Sequence, residues 1–137
     1  MTTRTAEVRN APSFVSCLAL LAIFELSLRC FGLRRTVRFM RRYMERSPER
    51  PVQPGLITAA VRQVVTAAAF YPSRALCLEQ SLVLYFVLRR RGVPAELKVG
   101  VQPFPFVAHA WVEHNGSPLN EHEEFVTRLA PFPSFGA

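Results

Sequence analysis

An apolar run at residues 82–88 (LVLYFVL), with no polar face, most constrains the fold. A helix that is apolar on every side is usually buried at the centre of a domain. Its end is marked by arginines at 89–91, by Gly92 as a C-cap and by Pro94, which prevents continuation. Counting back along the helix, Cys77 falls in its first turn or just before it. We therefore predict a central helix with a cysteine at its N-terminus.

The position of Cys77 allows two interpretations. At a helix N-terminus the unpaired backbone N–H groups and the dipole favour negative charge, which stabilises a nucleophilic thiolate. Alternatively, Cys77 is a small buried hydrophobic residue, as free cysteines commonly are. The position alone does not separate the two.

Two strands are predicted downstream of this helix. Residues 96–101 alternate as a strand does, and the prolines that follow predict a loop or an edge at 102–105. Residues 107–113 (VAHAWVE) form the second strand, which places His109, Trp111 and Glu113 on one face. The histidine therefore belongs to a strand that follows the cysteine helix.

The length of the next hairpin loop decides what lies opposite His109. Asn115-Gly116 is a strong turn signal, and a two-residue loop made of that pair places His122 there. A three-residue loop that begins at His114 places Glu121 there instead. We predict the three-residue loop, because it gives the imidazole a carboxylate that fixes its tautomer and orientation. The alternative is a hydrogen-bonded core histidine and a solvated glutamate.

Together these motifs resemble a known family. The chain is similar to the B2 proteins of lasso-peptide biosynthesis, which are leader peptidases with a transglutaminase-like cysteine-protease domain related to the C-terminal domain of the microcin J25 processing protein. The resemblance rests on the following motifs: Cys77-Leu78 with Ser81-Leu82, RRRG at 89–92, VGV at 99–101, AHAWVE at 108–113, Asn115-Gly116 and Asn120-Glu121.

The resemblance implies a fold and a set of catalytic roles. The fold would be α+β, a transglutaminase-like or papain-like core with N-terminal helices packed on a small antiparallel sheet. Cys77 would be the nucleophile and His109 the general base. The family usually has an aspartate where this chain has Glu121, whose extra methylene still allows it to reach the imidazole. Glu113 and Asn120 are the alternatives for the third position.

The resemblance also implies a reaction and its partners. The substrate would be a ribosomal precursor peptide, cut between leader and core without a cofactor. A small leader-binding (B1-type) protein would present it, and a macrolactam-forming synthetase would use the freed amine. Two other functions fit the same side chains: acyl transfer by a transglutaminase or amidase, and a catalytically silent peptide-binding module.

Four residues are predicted to contact substrate: Gln80, Phe104, Phe106 and Trp111. Gln80 is a candidate side-chain donor to the oxyanion, beside the backbone N–H of the nucleophile. The two phenylalanines precede the strand of His109 and would line a substrate groove. The alternative for both is core packing.

Composition bounds the class of protein. A chain of 137 residues suits a single domain. Three cysteines with no CxxC pair argue against a disulfide scaffold or a thiolate metal site, and they suit a reducing cytoplasm. The spacing of the three histidines matches no zinc pattern, so we predict no metal. The net charge of +7 suggests an acidic or anionic partner, although no nucleic-acid recognition motif is present.

We predict a flexible N-terminus at 1–11, a helical arm at 12–50 and the catalytic core at 55–137. Residues 12–31 are the most apolar stretch, but Glu25 and Arg29 interrupt it, which leaves less than the ~20 apolar residues that span a bilayer. We interpret it as a helix packed on the domain or on a partner. Contact with a membrane surface is the alternative.

Two further helices are predicted, Leu33–Met44 and Leu56–Phe70. The first has a core face made of Leu33, Val37, Met40 and Met44, and an opposite face of arginines. That arginine row is either a solvated face or a docking surface for an acidic segment or for phospholipid head groups. The second has one apolar stripe, made of Ile57, Val61, Val64, Val65 and Ala68.

Overall fold

The computed structural model describes residues 11–44, 46, 48–52, 55–72, 77–103, 106–121 and 130–131. In this part of the chain three helices precede a small sheet: α1 Phe14–Met44, α2 Leu56–Phe70, α3 Cys77–Arg90, β1 Ala95–Pro103, β2 Phe106–His114, β3 Ser117–Pro118 and β4 Ala130–Pro131. The strands are ordered β3-β2-β1-β4, and each neighbouring pair is antiparallel. The predicted α+β class is confirmed.

The predicted apolar helix, α3, lies at the centre of the core. Its middle residues are almost completely buried, from Leu82 to Leu84 and again at Val87 and Leu88. The helix ends as predicted at Gly92, whose φ of +84° is left-handed and whose N–H donates to Arg89. The chain then turns directly into β1.

The first helix, α1, is interrupted at Gly32, whose φ and ψ of 81° and 171° are not helical. This divides α1 into a first limb, residues 14–31, and a second limb, residues 33–44. The Thr36 hydroxyl ties the limbs together, because it donates to the Gly32 carbonyl and lies 2.9 Å from the Ser27 hydroxyl. The helices predicted on either side of Gly32 are confirmed.

Both limbs contribute to one core with α2 and α3. The residues they bury there are Cys17, Leu21, Phe24, Val37, Met40 and Met44. Most of the predicted core face of the second limb is therefore buried, with Leu33 packed against its margin. The predicted boundary between helical arm and catalytic core does not divide this cluster, because residues from both sides of it pack together.

Contacts along the first limb fix its direction relative to α3. Cys17 interacts electrostatically with Arg91 just beyond the end of α3, whereas Phe24 packs edge-on against Phe86 with ring centroids 5.9 Å apart. Because later residues of α1 lie beside earlier residues of α3, the two helices run antiparallel. The Gly32 turn therefore lies toward the Cys77 end of α3.

The predicted bounds of α2 are confirmed, but its predicted apolar stripe is wrong at one position. Val65 is 51% exposed. The residues that face the core are Leu56, Ala60, Val64 and Ala67. The two alanines have small side chains that let the helix approach its neighbours closely, which turns Val65 outward.

The β1–β2 pairing places Gly100 opposite His109 and continues to the pair Pro103–Phe106. Strand β1, at Ala95–Pro103, is therefore three residues longer than the predicted 96–101, by one residue at its start and two at its end. Its last residue is a proline, a position where the missing N–H is tolerated. Residues 104–105 of the predicted loop lie outside the described part of the chain.

The predicted three-residue hairpin loop is wrong. His114 pairs with Ser117, so the loop contains only Asn115 and Gly116, with φ values of 53° and 78°. Two left-handed residues form the type I′ turn, whose twist matches that of paired strands, and asparagine tolerates this conformation. This backbone preference outweighs the pairing of Glu121 with His109 that favours a three-residue loop.

We predict that Gly92→Ala is more destabilising than Gly116→Ala, although both glycines have positive φ. A Cβ at Gly92 would lie 2.7 Å from the backbone nitrogen of Arg50, whereas a Cβ at Gly116 meets no atom within 4 Å. We expect a loss of about 2–4 kcal/mol for Gly92→Ala and about 1 kcal/mol for Gly116→Ala. Urea unfolding of both variants measures the difference, and equal losses would contradict the close contact.

Candidate active site

The sheet changes its hydrogen bonding where β3 ends at Pro118. The N–H of Leu119 still donates to the carbonyl of Val112, at 2.8 Å. The N–H of Val112, however, donates to the side-chain oxygen of Asn120, also at 2.8 Å. A side-chain amide thus takes the place of the backbone acceptor that a regular strand would supply. The chain leaves the strand ladder at this point.

This departure brings Glu121 to His109. The Glu121 Oε2 and His109 Nε2 atoms are 2.5 Å apart, and the two side chains are 21% and 18% exposed. A continued regular ladder would instead have placed His122 opposite His109. The predicted contact is therefore present, although the irregular segment produces it and the predicted loop does not.

A hydrogen-bond relay joins the same strand to α3. Val112 directs its N–H and carbonyl away from β1, and Ala110, two residues earlier, points the same way. The Ser81 hydroxyl donates to the Ala110 carbonyl at 3.0 Å and accepts from Asn120 Nδ2 at 3.0 Å. Ser81 is fully buried. Helix α3 therefore contacts β2 at the edge that β3 leaves open.

This relay locates Cys77 relative to the histidine. Cys77 is the first residue of α3 and lies one turn before Ser81 on the same helix face, roughly 6 Å along the axis. Helix α3 runs in the same direction as β2, because its end turns into β1, whose first residue pairs with His114. Moving back one turn from Ser81 therefore moves toward the His109 end of β2. We infer that the thiol and the imidazole share one neighbourhood.

Helix α1 contacts Tyr71, which directly follows α2. The hydroxyl of Tyr71, just after α2, donates to Glu25 on the first limb, and Glu25 also pairs with Arg29 at 2.9 Å. The hydrogen bond to Glu25, then burial, raise the pKa of Tyr71, because a phenolate would lose that bond and face a carboxylate. Tyr71 thus remains a neutral donor that anchors the start of the connection between α2 and α3.

The other two cysteines have different surroundings. Cys17 is fully buried in the core, and burial raises the pKa of its thiol, which favours the unreactive protonated form. Cys30 is exposed on α1. Cys77 is half-buried, so it is neither enclosed in the core nor fully solvated.

The residues predicted to contact substrate differ in burial and in position. Gln80 lies half-buried in the first turn of α3. Trp111 is only 2% exposed and donates its indole N–H to Glu113, which favours a packing role over contact with substrate. Phe104 and the side chain of Phe106 lie outside the described part of the structure, so their roles stay predictions.

Three residues have structural roles in the site that the sequence does not predict. Asn120, which was considered as an alternative third catalytic residue, instead bridges β2 and α3. Glu113, the other alternative, accepts the indole N–H of Trp111. Ser81 was noted only as part of a motif. Its spacing of four residues from Cys77 was a signal that the two share one helix face.

Comparisons with known proteins agree with this architecture. The family model for the Transglutaminase-like superfamily matches residues 18–134. The chain is also 40% identical over 54 residues to the microcin J25-processing protein McjB of Escherichia coli. That match covers 39% of this chain and 26% of the relative. No solved structure gives a significant match. The family resemblance drawn from the sequence motifs is confirmed.

We predict that the relay between Ser81 and Asn120 stabilises the fold as well as the site. Ser81→Ala leaves the Ala110 carbonyl and the Asn120 amide without their partner, so we expect a loss of about 1–3 kcal/mol of unfolding free energy. Asn120→Ala is expected to cost a similar amount. Ser117→Ala, an exposed serine of β3, is the control and should change stability by less than about 0.5 kcal/mol. Chemical denaturation tests this, and losses equal to that of the control would contradict the buried relay.

Proposed function

Because this chain belongs to the transglutaminase-like superfamily, we propose that it is a cysteine peptidase that removes the leader from a ribosomally made lasso-peptide precursor. The observation that carries the proposal is the His109–Glu121 contact on a strand that Ser81 ties to the helix beginning at Cys77. Thiol, imidazole and carboxylate in this order are the parts of an activated cysteine nucleophile.

In the proposed reaction the Cys77 thiol transfers its proton to His109, and the thiolate attacks the carbonyl carbon of the scissile peptide bond. The imidazolium then donates that proton to the leaving amine as the C–N bond breaks, which leaves a thioester on Cys77. His109 next takes a proton from water, and the hydroxide attacks the thioester. The C–S bond then breaks, the imidazolium returns its proton to the Cys77 sulfur, and the leader leaves with a free carboxyl group.

Glu121 would orient the imidazole throughout this cycle. Its carboxylate contacts Nε2, so proton exchange with Cys77 would use Nδ1, the other ring nitrogen. The same carboxylate stabilises the imidazolium that forms when His109 accepts the thiol proton.

The start of α3 would also stabilise the tetrahedral oxyanion. As the first residue of the helix, Cys77 has a backbone N–H that belongs to the first turn, where N–H groups have no intrahelical acceptor. This N–H is the first proposed oxyanion donor. The side chain of Gln80, in the same turn, is the candidate for the second.

The proposed substrate and partners follow from the family. The matched relative is named as a protein that processes microcin J25, and the present chain matches about a quarter of its length. We propose that a separate leader-binding (B1-type) protein presents the precursor peptide to this chain. A macrolactam synthetase would then use the amine released from the core. The reaction would take place in the cytoplasm.

We predict that cleavage requires all three side chains. Cys77→Ala should abolish cleavage of the precursor encoded beside this chain's gene, assayed by mass spectrometry with the neighbouring leader-binding protein. His109→Ala should lower the rate about 10²–10⁴-fold, because proton transfer is lost. Glu121→Gln should lower it by up to about 10⁴-fold. Glu113→Gln, on the same strand face as His109, is the matched control and should retain activity.

The outcome of this assay also separates the alternatives. Unchanged cleavage by Cys77→Ala would contradict the peptidase proposal. A product that carries an added amine in place of water would show acyl transfer, as in a transglutaminase. A protein that binds precursor but never cleaves it would be a silent module.

We predict that Cys77 is the cysteine whose alkylation stops the reaction. Cys30 is exposed and would also react, so the experiment uses a Cys30→Ser background, while Cys17 is protected by burial. Iodoacetamide should inactivate this variant with one modification, located at Cys77 by peptide mapping. Full activity of a protein quantitatively alkylated at Cys77 would exclude it as the nucleophile.

A further inference from the structure

Within the described part of the chain, no other element covers one face of the first limb of α1. The exposed side chains of this face are mostly apolar or small and form a row along the helix, which the exposed Arg29 interrupts: Val15, Ala19, Ala22, Ile23, Leu26 and Cys30. Ile23 and Leu26 are 57% and 63% exposed. By length and composition α1 could cross a membrane, yet only 17% of its most apolar 18-residue window is buried. It is therefore not the fully packed core helix that such composition usually indicates.

The second limb is basic on its outward side. Four arginines are exposed there, and within the described residues none of them forms an ion pair with a carboxylate: Arg34, Arg35, Arg38 and Arg42. Two aromatic residues accompany them, Phe39 at 75% exposure and Tyr43. Guanidinium groups bind phosphate oxygens, and exposed aromatic rings are enriched at membrane–water interfaces.

The two limbs meet in a groove beside the Gly32 turn. Its volume is about 360 Å³, and its lining residues come from both limbs: Ser27, Phe31, Arg35, Thr36 and Phe39. The groove is apolar apart from two small hydroxyl groups and the Arg35 guanidinium. It combines space for a hydrocarbon chain with a cation for a head group.

The apolar row and the arginine row lie on the outward sides of the two limbs, which meet at the Gly32 turn. Both limbs bury their inner sides in the same core, and the Ser27–Thr36 contact joins them at the turn. An apolar helix face beside a row of cations is the pattern of segments that lie in the interface of a bilayer. We propose that α1 docks this protein on the surface of an anionic lipid bilayer.

Lipid explains both rows better than an acidic protein does. Acidic side chains would pair with the arginines but would leave the row from Val15 to Cys30 in water. A bilayer surface takes up a long apolar row without requiring a complementary shape, and anionic head groups lie at the depth of the flanking cations. The net charge of +7 adds long-range attraction to such a surface.

The test is flotation of the purified full chain with lipid vesicles. We expect binding to vesicles that contain phosphatidylglycerol, much weaker binding to phosphatidylcholine vesicles, and release of the protein as salt is raised. The triple variant Arg34→Gln, Arg38→Gln, Arg42→Gln should bind about a hundredfold more weakly, because each arginine near an anionic surface contributes about 1 kcal/mol.

The apolar row is tested separately with a matched pair of variants. Ile23→Glu places a charge in the row and should strongly reduce binding. Val65→Glu makes the same change at a comparably exposed position on α2 and should leave binding unchanged. Arg62→Gln is the corresponding charge control for the arginine variant. Circular dichroism is used to check that each variant is folded.

Three results would overturn the proposal. One is equal flotation of the wild type with both kinds of vesicle or with neither. The second is undiminished binding by folded Ile23→Glu. The third is a combined result, in which the wild type does not bind vesicles and Ile23→Glu no longer binds the leader-binding protein. That result would show that this face is a protein interface. None of these results contradicts the proposed peptidase activity, because the cleavage assay contains no lipid.

Discussion

The candidate site depends on a short hydrogen-bond relay between a helix and the edge of a sheet. Ser81 donates to the Ala110 carbonyl and accepts from Asn120, which in turn accepts from the Val112 N–H. Because no further strand among the described residues lies beside this edge of β2, its backbone groups need other partners. The side chains of Ser81 and Asn120 are these partners. They also determine the positions of Cys77 and Glu121. The same hydrogen bonds therefore satisfy the backbone of β2 and position the residues of the candidate site.

The core supports this relay by holding α3 in place along its length. The helix is apolar on all sides in its middle, so it is buried between the limbs of α1, α2 and the sheet. The two ends of the helix have different surroundings. Cys77 is half-buried at one end, and at the other Gly92 lies against the backbone of Arg50. A central helix with a fixed end at Gly92 can present its first residue to the sheet with little freedom to move.

The N-terminal helix α1 has two different sides, which its composition does not distinguish. One side of α1 closes the core and, through Glu25, anchors Tyr71 on the approach to Cys77. The other side exposes an apolar row and a basic row that the core does not need. Since the Gly32 turn lies toward the Cys77 end of α3, a protein docked through α1 would hold its candidate active site near the docked surface.

Sequence alone determined the helices, their order and the buried face of the second limb, and it predicts Cys77 and His109 as the thiol and imidazole of the candidate site. These depend on periodicity, on glycine and proline, and on motif spacing, all of which are local. It did not determine the outward turn of Val65, the bare face of the first limb or the route by which Glu121 reaches His109. Those depend on which surfaces neighbouring elements cover, and on an amide of Asn120 that replaces a strand partner. Only the tertiary structure decides these features, because each depends on contacts between residues that are distant in the chain. Local sequence preferences carry no information about such contacts.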